Sequence, residues 1–64
     1  MSVTYLPTAR SYPEHRRAIV AFDKAIVDGI NQCLADGVPI GMIVAVIHAH
    51  DVNVTNMMIG AEDE

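Results

Sequence analysis

Apolar residues recur along this chain at helical intervals, and then crowd together. Ile19, Phe22, Ile26, Ile30 and Cys33 return at steps of three and four, which places them on one side of a helix. A second stripe, Val20, Val27 and Leu34, repeats every seven residues. Two stripes on one helix fit either a broad core face or a core face beside a dimer seam. Ser11-Tyr12-Pro13-Glu14 has the form of a capping box, with Ser11 as cap and proline in the tolerated first turn. Gly37 suits the left-handed position just past a helix end, and Pro39 bars continuation. The pattern therefore predicts a helix from about Pro13 to Asp36.

The next segment is harder to read. Ile40, Ile43, Val44, Ile47, Val54 and Met57 or Met58 fit a second helix, opened by Pro39. Met42 to Ile47 is rich in β-branched residues, so a strand across 42–55 stays open. Helix is preferred, because a lone strand beside one helix would leave its edges unpaired. A break is expected near His50-Asp51-Val52-Asn53, with Asp51 capping a short final helix that Gly60 stops. Residues 1–12 read as an extended arm, since Tyr5-Leu6 precedes Pro7. The arm is either loose or laid across a partner subunit. Residues 60–64 read as an acidic disordered tail. The expected architecture is all-α, with one helical domain over 13–59. It is a two-helix antiparallel hairpin, its second helix broken near 50–53, assembling as a homodimeric four-helix arrangement.

Composition explains why assembly is expected. The chain has 64 residues and is 52% hydrophobic, and from Val38 to Ile59 its only formal charge is Asp51. A domain of this size buries only about 60% of its unfolded surface and is marginal alone. A hairpin by itself would expose Val46, Val52, Met57 and Met58. Cys33 is the only cysteine, so no internal disulfide supplements the core, and a reducing, cytoplasmic setting is expected. Met1 to Pro13 lacks the apolar segment of a signal peptide. No membrane is expected, because Met42–Ile47 is far shorter than the roughly 20 residues of a span and is followed by His48, His50, Asp51 and Asn53.

The net charge is −4, and Arg10, Arg16, Arg17 and Lys24 are its only basic residues. A weak helix-turn-helix pattern runs through Val44-Ala45, Ala49 and Val52 to Met58. Its recognition segment has no Lys or Arg to hold phosphates, so DNA binding is the alternative and not the leading expectation. No catalytic residue, metal site or cofactor is expected. His48-Ala49-His50-Asp51 is the one cluster of potential ligands, but on a helix the two histidines diverge by about 200°. Cys33 lies on an apolar face and reads as structural. The chain is thus expected to be a non-enzymatic protein-binding module. Arg16 and Arg17 would set specificity at the rim, Val20 and Val27 would form a seam, and Met57 and Met58 would give adaptable contact surface.

Glu14-His-Arg-Arg-Ala-Ile-Val-Ala-Phe22 and Gln32-Cys-Leu-Ala-Asp-Gly-Val-Pro-Ile40 resemble the quorum-sensing anti-activator family of Pseudomonas phages. The resemblance implies a short helical homodimer that acts in the host cytoplasm. Its partner would be a host protein such as a LuxR-type transcription activator or, in some members, the type IV pilus assembly ATPase. The resemblance assigns no individual residue a role.

Overall fold

The computed structural model describes residues 1–10 and 12–63, and among these the fold is all-α. A 3-10 turn spans Pro7–Arg10, α1 spans Arg16–Ala35 and α2 spans Ile40–Asp63. No described residue is in a strand.

α1 begins later than the capping box predicts. Tyr12 to His15 form a turn, closed by the His15 amide donating to the Tyr12 carbonyl at 3.1 Å. His15 then occupies the cap position, with no side-chain capping bond. The predicted cap, Ser11, lies outside the described residues. The far end of α1 follows the sequence closely. The Val38 amide donates to the Cys33 carbonyl at 2.9 Å, and the Gly37 amide to the Leu34 carbonyl at 3.1 Å. This is the Schellman arrangement, and it requires the left-handed φ of 81° found at Gly37. A Cβ added at Gly37 would meet nothing within 4 Å, so Gly37→Ala is opposed by backbone conformation alone. The left-handed penalty of about 1 kcal/mol is expected to lower the midpoint of thermal unfolding by roughly 4–8 °C. Calorimetry of the two proteins checks this.

The Pro39 carbonyl accepts from the Met42 amide at 3.0 Å and the Ile43 amide at 3.3 Å, which starts α2. From there the helix runs unbroken for 24 residues. The preferred helix over 42–55 is what forms, with no strand there. Two expectations are corrected: there is no break at 50–53 and no stop at Gly60, so residues 60–63 belong to the helix. Asp51 does not cap a new helix: its Oδ1 accepts a hydrogen bond from Thr55 Oγ1, one turn on, at 3.3 Å. Gly60 costs only about 1 kcal/mol inside a helix, too little to end one without a following breaker.

The helices meet at the elbow between them and do not lie along one another. Within one chain the antiparallel hairpin is therefore not closed. The molecule measures 42 × 26 × 13 Å, with a radius of gyration of 14.0 Å. A compact chain of this length would have about 10.7 Å. Its surface is 5474 Å², against about 4,000 Å² for a compact monomer of the same mass.

The small core lies between α1 and the N-terminal arm, plus the elbow. Ala9 and Val27 are each 5% exposed, Asp23 is 8% and Ile43 is 9%. The arm lies on α1 of its own chain. Asn31 grips the Val3 backbone at two points: its Oδ1 accepts from the Val3 amide at 2.9 Å, and its Nδ2 donates to the Val3 carbonyl at 3.1 Å. Further along, Asp23 Oδ2 accepts from the Leu6 amide at 2.9 Å.

Candidate interaction surfaces

α1 presents two faces about a quarter turn apart. The arm covers the face carrying Val20, Asp23, Val27 and Asn31. A shallow pocket there is lined by Tyr5, Leu6, Ala9, Val20, Asp23 and Lys24. The other face, the stripe of Ile19, Phe22, Ile26, Ile30 and Cys33, is partly open: Phe22 is 64% exposed and Ile26 is 41%. Ile19, Ile30 and Cys33 are half-buried, so within the denser stripe it is Phe22 and Ile26 that face outward, and the sparser stripe takes the arm.

α2 is the larger open surface. Past Ile43 every described side chain on it is exposed, including Val46, Val54, Met57 and Met58. Apart from the acids at its end, its polar residues, His48, His50, Asp51, Asn53, Thr55 and Asn56, gather between 48 and 56 but point in several directions around the axis. Ile40–Ala61 is the one helical stretch among the described residues that is long and apolar enough to cross a bilayer. Asp51, His48 and His50 would then sit near mid-bilayer, where an ionisable side chain costs most.

The residues predicted to bind a partner do not form one site. Arg16 and Arg17 are exposed on the first turn of α1, and Met57 and Met58 are exposed in the last third of α2, each remote from the elbow. Val20 is half-buried and lines the arm pocket, and Val27 is buried beneath the arm. Both are already in use within the chain. Asp23 and Asn31 were not anticipated as functional positions. Their signal in the sequence is that each interrupts the Val20–Val27–Leu34 stripe with a side chain able to bond backbone.

Charge is sparse on both surfaces. Lys24 pairs with Asp28 one turn along α1. Hydrogen bonding to Asp28 first, and its charge second, hold the lysine pKa above its ordinary value, so the ammonium persists to alkaline pH. Among the described residues no group of three or more His, Cys, Asp or Glu gathers as a metal site. Cys33 is a half-buried free thiol. Compared with family models, with curated proteins and with solved structures, the chain matches none.

Proposed function

We propose that this chain is a non-enzymatic protein-binding module that works as a homo-oligomer, with α2 as its contact helix. The observation that carries the reading is the state of α2: 24 residues, mostly apolar, with Ile43 alone buried among its described side chains. At about 25 cal/mol per Å² of apolar area, leaving such a helix in water is costly, and a second molecule is the way to cover it. Closure of the helices into an antiparallel four-helix arrangement then takes place between chains. Sedimentation of the purified protein at micromolar concentration is expected to show a dimer or larger species. A single-copy species whose α2 stays helical and binds no hydrophobic dye would overturn the reading.

The stretches 14–22 and 32–40 support a narrower version, in which the module occupies a host regulator such as a LuxR-type activator in the cytoplasm. Arg16 and Arg17 suit its rim, being exposed and not engaged by the chain's described side chains. Co-expression of such an activator with this chain, followed by size-exclusion chromatography, tests that version, and separate elution removes it. The DNA-binding alternative has less behind it, since α2 carries no Lys or Arg at all. Tight, strongly salt-dependent binding to duplex DNA would restore it.

A further inference from the structure

We infer that α2 pairs antiparallel with α2 of a second copy along the face formed by Ile43, Ile47, His50, Val54, Met57 and Ala61. This rests on the proposed self-association and specifies its surface, direction and register. The six residues are separated by steps of four, three, four, three and four, the a/d rhythm of a helix–helix seam. The opposite side carries the small or polar Gly41, Ala45, His48, Thr55 and Asn56, together with the apolar Val52 and Ile59.

The seam reads almost the same in both directions. In an antiparallel pair, Ile43 of one copy meets Ala61 of the other, Ile47 meets Met57, and His50 meets Val54. The two-fold axis then generates each layer a second time, and the helices overlap over nearly their whole length. The smallest member, Ala61, falls opposite Ile43, the one position that the elbow already shields, at 9% exposure. His50 is the only polar side chain in the seam. One polar residue at such a position specifies register at some cost in stability.

The helix dipoles favour the antiparallel direction. α2 has no basic residue, and a parallel pair would align the two dipoles, whereas the antiparallel pair opposes them. Asp51, one residue from the two-fold axis, lies near its own copy in either direction and does not discriminate between them. The area is also sufficient. Each chain exposes about 1,500 Å² more than a compact monomer of its mass, taking 5474 Å² against about 4,000 Å². Two chains therefore carry roughly 3,000 Å² of surplus surface, shared between α1 and α2, from which an interface of standard size, about 1,600 Å², can be drawn.

Directed cross-linking tests the pairing in the full chain, with Cys33→Ser as background. Chains carrying Ile47→Cys and chains carrying Met57→Cys are mixed and oxidised, with sedimentation run on the reduced mixture. A disulfide-linked heterodimer is expected, since facing a and d positions bring Cα atoms within disulfide range. Ready linking of Met57→Cys chains to one another would mean a parallel pair and would overturn the inference. A dimer by sedimentation with no link in the mixture would overturn the seam while leaving self-association standing. A monomer would remove both. Co-flotation with phosphatidylcholine–phosphatidylglycerol vesicles, with loss of the cross-link, would give α2 a lipid occupant and overturn the inference as well.

Discussion

The double variant Ile47→Asp, Val54→Asp is expected to be monomeric at concentrations where the parent chain associates, and to lose most of the helix signal of α2. Two carboxylates per chain would enter the apolar seam without partners, and removing the partner of a buried charge, or burying one alone, costs on the order of 3–5 kcal/mol. Two such sites in each copy exceed what a dimer of this size can absorb, so association should weaken by at least about a thousandfold. The helix should follow. Isolated helices are marginal in water because nucleation is unfavourable, and most helical stability in proteins comes from packing. α2 packs against α1 only near Ile43, and it is rich in Ile and Val, which hold helix less well than Ala or Leu. Far-UV circular dichroism should therefore lose a large part of its 222 nm signal in step with dissociation. Asn56→Asp, on the opposite side of the helix, is the control and should leave both measurements unchanged. If the double variant sediments like the parent, the seam is misplaced.

How much of this molecule can be read from its sequence differs from element to element. α1 is legible because Ile19 to Leu34 repeats at helical spacing and Gly37 and Pro39 mark its end unambiguously; the Schellman bonds from Gly37 and Val38 are what those residues require. Its start is less so, because a turn at Tyr12–His15 comes before the helix, which opens at Arg16 with His15 at the cap position and no side-chain capping bond. The identity of the buried face is not legible at all by apolar count. Phe22 and Ile26 belong to the denser stripe, yet they are exposed. What decides is the arm, whose backbone needs hydrogen-bond partners, and Asp23 and Asn31 supply them from the other face. In α2, polar side chains at His50 to Asn53 were read as a break, although none is Pro or Gly and a helix accommodates them in its interior. The open elbow differs from the expected hairpin, in which the two helices lie side by side. Gly37, fixed left-handed, and Pro39, which limits its own neighbourhood, set the direction in which the chain leaves α1, and that direction carries α2 away from it. As for the candidate site, the exposure of Met57 and Met58 was anticipated from composition, whereas Val20 and Val27 are taken up by the arm.

The arm gives the second large effect. Val27→Asp is expected to release residues 1–10 from α1 and to destabilise the chain by about 3–4 kcal/mol, a large fraction of what a domain of this size holds. Val27 is 5% exposed under the arm, and a carboxylate there would stand one helical turn from Asp23, itself 8% exposed, adding like-charge repulsion to desolvation. The remaining ties cannot compensate. Three hydrogen bonds to the Val3 and Leu6 backbone, each worth roughly 0.5–1.5 kcal/mol net, hold the arm only while Val27 and Ala9 exclude water around them. Limited proteolysis reports the release: trypsin should cut after Arg10 much faster in the variant than in the parent. Phe22→Asp, on the exposed stripe, should leave the cutting rate unchanged. Together the two variants decide which stripe of α1 is the core, since an arm laid over Phe22 and Ile26 would give the opposite result. An arm laid across a second copy would instead make the parent's protection fall on dilution. The contacts of Asn31 and Asp23 within one chain predict protection independent of concentration.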